Sequence, residues 1–124
     1  MDTTDRRKYE RAETCNPISY KSIDKDGEIV VNNMGRAINV SRSGISLETA
    51  HPIEAEYVSL STVDLDDILI KIKGQLIYCR KTDSGMYQAG IRFIASGQEK
   101  ADFAAKLIRL YHFRKHNMVV HVAA

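Results

Sequence analysis

Short runs in which apolar and polar residues alternate follow one another from Ile18 to Ile94, and each run closes on turn-forming residues. That spacing predicts an antiparallel β domain. The runs cover residues 18–23, 28–32, 36–40, 45–49, 56–62, 68–80 and 86–94. Turns are expected at Asp24-Lys25-Asp26-Gly27, at Asn33-Met34-Gly35 and at Lys81-Thr82-Asp83-Ser84-Gly85, the last with the length and residues of a hairpin loop. Period two also assigns faces. Ile68, Ile70 and Ile72 alternate with Leu69, Lys71 and Lys73, while Tyr87, Ala89, Ile91 and Phe93 alternate with Met86, Gln88, Gly90 and Arg92. Gly74, in the middle of the longest run, marks an expected bulge or bend that helps a short sheet curl into a barrel.

The ends of the chain read differently. Before residue 17 there is no periodic apolar signal, and Asn16-Pro17 closes an N-terminal arm, residues 1–16, expected to be mobile in the free protein. From Gln98 the period becomes helical, with Phe103, Ala104, Leu107, Ile108 and Tyr111 on one stripe. Ser96 followed by Glu99 is a capping box, and Arg109, His112, Arg114, Lys115 and His116 suit the negative end of the helix dipole. A helix over about 97–116 follows, on a mainly all-β domain spanning 17–124.

Composition narrows the function classes. The 124 residues are 44% hydrophobic and 27% charged, enough to build one core without metal or disulfide staples. No apolar run approaches the roughly 20 residues that span a bilayer, and no apolar stretch follows the charged start, so a cytoplasmic chain is expected. A net charge of +2 gives no general attraction to DNA or RNA. Cys15 and Cys79 have no partner at ligand spacing and read as reduced, structural residues. His51, His112, His116 and His121 form no nucleophile or metal set, and Asp64, Asp66 and Asp67 lack calcium-loop spacing, so neither catalysis nor a metal is expected.

Two clusters carry chemistry. Arg6-Arg7-Lys8-Tyr9-Glu10-Arg11 puts three arginines in the arm, where a packed core has no use for them. Arginine grips phosphate or a guanine edge in bidentate fashion, and its flat face stacks on bases. Asn39-Val40-Ser41-Arg42-Ser43-Gly44 places Asn39 and Ser41 on one side of a strand, with Ile38 and Val40 on the other. Gly44 ends that strand with no side chain to block a tight turn or a ligand. Together the clusters point to a compact anionic nucleotide.

In these residues the chain resembles the PilZ domains, bacterial receptors for the second messenger cyclic di-GMP. Arg7-Lys8-Tyr9-Glu10-Arg11 matches the family's R-x-x-x-R, Asn39-Val40-Ser41-Arg42-Ser43-Gly44 its D/N-x-S-x-x-G, and Gln88-Ala89-Gly90-Ile91-Arg92-Phe93 its Gly-x-x-Phe strand. The resemblance implies a six-stranded antiparallel β-barrel with a C-terminal helix and a flexible arm that folds across it. It implies that Arg7 and Arg11 hold phosphates and guanine, that Asn39 and Ser41 bond a guanine edge, and that Gly44 keeps the approach open. Arg6, before the motif, implies a stacked, intercalated pair of messengers. No cofactor, no DNA or RNA partner and no membrane insertion is implied; the ordered arm would present a new surface to a downstream protein. Motility, exopolysaccharide production, biofilm formation and virulence all fit such a role. The alternatives are a nucleotide-independent adaptor, for instance in pilus assembly, and a small barrel that binds single-stranded nucleic acid. The second has little support, because Lys71, Lys73 and Arg92 have little aromatic interleaving, Tyr87 and Phe93 falling on the expected buried parity.

Overall fold

A computed structural model describes residues 12–123, with the side chains of Ala12, Glu13, Cys15 and residues 117–123 outside that description. Six strands form: β1 (Ala12–Ile23), β2 (Ile29–Val40), β3 (Gly44–Thr49), β4 (Tyr57–Val63), β5 (Leu69–Lys81) and β6 (Tyr87–Ile94); helix α1 (Gly97–Ala123) follows. All pairings are antiparallel in the order β1-β2-β3-β6-β5-β4, and β4 pairs back onto β1, closing the barrel. Closure removes the exposed strand edges that an open sheet of this size would leave.

Alternate residues along β1, β4 and β6 fill the barrel, as period two requires. Ile18 and Tyr20 of β1, Leu47 of β3, Val58 and Leu60 of β4, and Ile91 and Phe93 of β6 are all buried. Helix α1 contributes Phe103, Ala104, Leu107 and Leu110 to the same core, and the Phe93 and Phe103 rings meet edge to face at 5.6 Å. Asn16 fastens helix to barrel: its Nδ2 donates to the Leu107 carbonyl at 2.7 Å. The capping box forms as expected, the Glu99 amide donating to Ser96 Oγ and the Ser96 amide to Glu99 Oε1.

One turn geometry serves three hairpins. The amides of Asp24, Asp64 and Thr82 donate to the carbonyls of Glu28, Ile68 and Met86, and the amides of Gly27, Asp67 and Gly85 donate back to Asp24, Asp64 and Thr82. The fourth residue of each loop is left-handed, with φ of 84° at Gly27, 61° at Asp67 and 87° at Gly85. This is the type I turn with a left-handed fourth residue, which matches strand twist. The Asp64-Asp66-Asp67 cluster is thereby explained as turn chemistry. Asp64 Oδ1 accepts from the Ile68 and Asp66 amides at 3.0 and 2.8 Å. These bonds, the Ile68 amide foremost, hold its carboxyl below the usual range.

Where the fold departs from the alternation pattern, β-bulges or close packing are the cause. Asn33-Met34-Gly35 is not a turn: β2 runs through it, and Gly35 is needed because a Cβ would lie 3.0 Å from the Glu48 carbonyl oxygen. The arm does not end at residue 16, since residues 12–16 already belong to β1; a register shift between Glu13 and Asn16 absorbs the break in alternation. Pro17 is tolerated there because β4 pairs with β1 only from Ser19 onward. The expected bulge at Gly74 lies instead between Leu76 and Tyr78, and Gly74 serves to let Ile91 Cγ2 occupy the space of a side chain. Helix α1 continues past residue 116 to Ala123, no glycine or proline intervening.

Tyr20 offers a test of the barrel interior. Burial pushes its phenol above the ordinary value of about 10, against the opposing effect of hydrogen bonds with Asn33 and Thr49. Because the folded value exceeds the unfolded one, this contribution to stability is complete below about pH 10 and is lost as pH rises through the folded value. Urea midpoints are expected to fall above about pH 10, and Tyr20→Phe is expected to make that fall shallower. An identical alkaline profile in the variant would show that Tyr20 does not report burial.

Candidate functional site

The second sequence cluster folds into a tight turn between β2 and β3. The Ser41 amide donates to the Gly44 carbonyl at 2.9 Å, and the Ser43 amide to Ser41 Oγ at 3.2 Å. The two serine hydroxyls lie 3.0 Å apart. This local bonding is why Ser-x-Ser-Gly turns the chain so sharply. The turn is stitched to β6 by the Phe93 amide, which donates to the Ser43 carbonyl at 2.9 Å. Gly44 has no positive φ; its reason is contact, since a Cβ would run into the Ile91 carbonyl oxygen.

Beside this turn lies an open groove of about 230 Å³, lined by Ser41, Ser43, Gly44 and Ser46 with Ile77, Tyr78, Gly90 and Arg92. Ser46 Oγ accepts from Gln88 Nε2 at 3.0 Å, and Arg92 Nη2 donates to Gln75 Oε1. No carboxylate lines the groove and one guanidinium does, so it favours an anion. Its volume falls below the roughly 300–1,000 Å³ of pockets that enclose a small ligand. The barrel thus supplies one wall of a site.

The structure gathers Ser41 and Gly44 at this groove, as the sequence suggests, but Ser41 is almost fully buried. Asn39 is half-buried on β2 opposite Ser46 and is not among the lining residues. The expected alternation fails here: a register shift between Ala37 and Asn39 leaves Ala37 and Val40 both buried, three positions apart, and Ile38 and Asn39 both half-buried. Arg6, Arg7 and Arg11 lie outside the described residues. The chain nevertheless enters β1 at the site, because Ala12 pairs with Val40, immediately before Ser41.

Sequence reading missed Tyr78. The register shift between Leu76 and Tyr78 sets Ile77 aside and turns Tyr78 outward over Gly90, while Cys79 packs on the core. The available signal was an aromatic residue opposite a glycine across a strand pair, visible only once register is known. Among the described residues, no three metal-ligating side chains converge and no helix is long and apolar enough to cross a membrane.

The chain is thus a closed six-stranded barrel with a terminal helix and a groove at the β2–β3 turn. The PilZ domain profile matches residues 5–112, and the chain belongs to the PilZ domain family. Its fold is that of the PilZ domain of YcgR from Escherichia coli, solved with c-di-GMP: TM-score 0.58 at 15% identity, covering 92% of this chain and 97% of that one. The K. pneumonia MrkH–c-di-GMP complex gives TM-score 0.58 at 20% identity over 89% of this chain and 55% of that one. The Bacillus subtilis inhibitor of motility MotI/DgrA gives 0.59 at 17% identity over 90% and 52%. The chain thus spans about half the length of MotI and of MrkH. No curated protein matches the sequence.

Proposed function

We propose that this chain is a cyclic di-GMP receptor in which an arginine arm and the β2–β3 groove clamp the messenger between them. The observation that carries the reading is the pairing of Ala12 with Val40, which brings the chain out of the arginine segment beside Ser41 and the groove. Membership of a family in which YcgR and MrkH are solved with c-di-GMP supports the same ligand.

In this reading Arg7 and Arg11 grip the phosphates and a guanine, and Asn39, Ser41 and Gly44 form the barrel side. Two negative phosphates meeting arginine forks give charge-assisted hydrogen bonds, which offset the entropy lost when the arm is pinned. The arm, messenger and barrel then form a surface for a downstream cytoplasmic protein, so binding acts as a switch in processes such as motility or biofilm formation. Arg6 adds capacity for a second, intercalated messenger. The protein acts by binding and carries out no catalysis.

Isothermal titration of the full chain with cyclic di-GMP, beside GTP, tests this. Specific binding is expected for the cyclic dinucleotide alone, with two messengers per chain if Arg6 acts as proposed. Arg7→Ala and Arg11→Ala are expected to abolish the heat signal while circular dichroism stays unchanged. Absence of binding by the folded wild type would overturn the receptor in favour of the nucleotide-independent adaptor.

A further inference from the structure

Barrel closure does not reach the first half of β2. Residues 29–34 pair with β1, but β3 joins β2 only from Arg36 onward, where the Arg36–Glu48 ion pair at 2.6 Å marks the junction. In an antiparallel pair alternate residues direct N–H and C=O away from the partner, so this stretch presents a hydrogen-bonding edge on its open side. Its side chains are exposed and mostly apolar: Ile29 is 58% accessible, Val30 57% and Met34 62%. Ile29-Val30-Val31-Asn32-Asn33-Met34 contains no charge and no proline, the devices that ordinarily guard a strand edge against another chain.

A second groove, of about 530 Å³, lies beside this edge at the start of β2, whereas the Ser41–Gly44 turn follows the strand's other end. Val30 and Val31 belong to both the edge and the groove, and Tyr57 lines the groove as well. Its charged lining residues are Asp24, Glu54 and Glu56 against Lys25, and Asp26 and Glu28 extend the negative charge along the β1–β2 hairpin. We propose that the open edge of β2 docks an extended, basic segment of a partner protein by strand addition, with aliphatic side chains of that segment in the groove and its cations against Glu54 and Glu56. Main-chain hydrogen bonds supply the affinity, and the acidic rim selects the sign of the partner. A second copy of this chain brings the same acids to the same edge, so self-pairing would set like charges side by side. The surface is separate from the messenger groove and stands apart from the receptor reading.

The test is a fluorescence-polarisation titration of the full chain, without nucleotide and at low salt, against a dye-bearing peptide of alternating lysine and valine long enough to cover residues 29–34. Binding is expected. The fully N-methylated peptide keeps the charge and the side chains but has no amide donor, and should bind at least about tenfold more weakly. Val30→Lys, which places a guard lysine on the exposed edge, should weaken binding by about tenfold, and Glu54→Lys by about threefold, with circular dichroism unchanged in both. A peptide of alternating glutamate and valine should not bind. No binding of the lysine peptide by the folded wild type overturns the proposal. Equal affinity for the N-methylated peptide, or in Val30→Lys, overturns strand addition, and equal affinity for the glutamate peptide overturns the choice of a basic segment. A wild type that sediments as a dimer, and that Val30→Lys makes monomeric, would give the edge to a second copy instead. None of these outcomes depends on cyclic di-GMP, whose binding is read separately.

Discussion

Gly44→Ala is expected to destabilise the protein by about 3 kcal/mol, the upper end of what an added methyl group costs in a packed site. The reason is what the new Cβ would meet. At Gly44 it would run into the Ile91 carbonyl oxygen and lie 3.3 Å from Arg92 Cα, and both are backbone atoms of the neighbouring strand. A flexible side chain could swing aside, but a strand in a closed barrel cannot move without its other partner, and β6 is also paired with β5. The same shift would loosen the turn bonds from Ser41 and Phe93, which define the groove. Gly97 is the internal control: a Cβ there meets nothing within 4 Å, and Gly97→Ala should stay within about 0.5 kcal/mol of wild type. Urea denaturation of both variants measures the difference, and a Gly44→Ala variant as stable as Gly97→Ala would show that β3 and β6 are not packed as closely as described.

The sequence made legible the features governed by local rules. Turn residues announced the hairpins at Asp24–Gly27 and Thr82–Gly85, both with glycine at the left-handed position, and Ser96 with Glu99 announced the helix start. The fold class followed from period two along β5 and β6, and the family signature then led to the six-stranded barrel. What stayed hidden depends on pairing between distant strands. Neither the bulge at Ile38 nor the one at Ile77 has a local marker, since isoleucine is an ordinary strand residue and the extra position exists only relative to a partner strand. Those two bulges decide that Asn39 is half-buried and that Tyr78 faces the groove. Gly35 reads as part of a turn, Gly44 as room for a turn or ligand and Gly74 as a bend, whereas at Gly44 and Gly74 the neighbouring strand comes too close for a side chain and at Gly35 a Cβ would lie 3.0 Å from the Glu48 carbonyl oxygen. Asn16 beside Pro17 read as the end of an arm, because its use appears only when the helix carbonyl at Leu107 arrives from the far end of the chain.

The helix-to-barrel joint carries the second large effect. Leu107 is completely buried among core residues contributed by strands and helix alike, and its carbonyl receives the Asn16 side chain from β1. Truncating such a leucine removes its transfer free energy and leaves a cavity, at a cost that spans about 2–5 kcal/mol. How far the surroundings can collapse decides the value. Here collapse would require α1 to slide toward the barrel, and the Asn16–Leu107 bond on one side and the Phe93–Phe103 contact on the other hold it in place. Leu107→Ala is therefore expected to cost about 3–4 kcal/mol, and Phe113→Ala, half-exposed on the same helix, less than about 0.5 kcal/mol. Comparable urea midpoints for the two variants would mean that α1 does not close the barrel. On the proposed function the expected difference would also bear on signalling, because the Asn16 that holds this helix sits in the same strand whose first residue, Ala12, pairs beside the β2–β3 groove. A ligand that orders the chain entering β1 thus acts on a strand already bonded to the helix, and Leu107→Ala should weaken any messenger-dependent protection of α1 seen by hydrogen exchange.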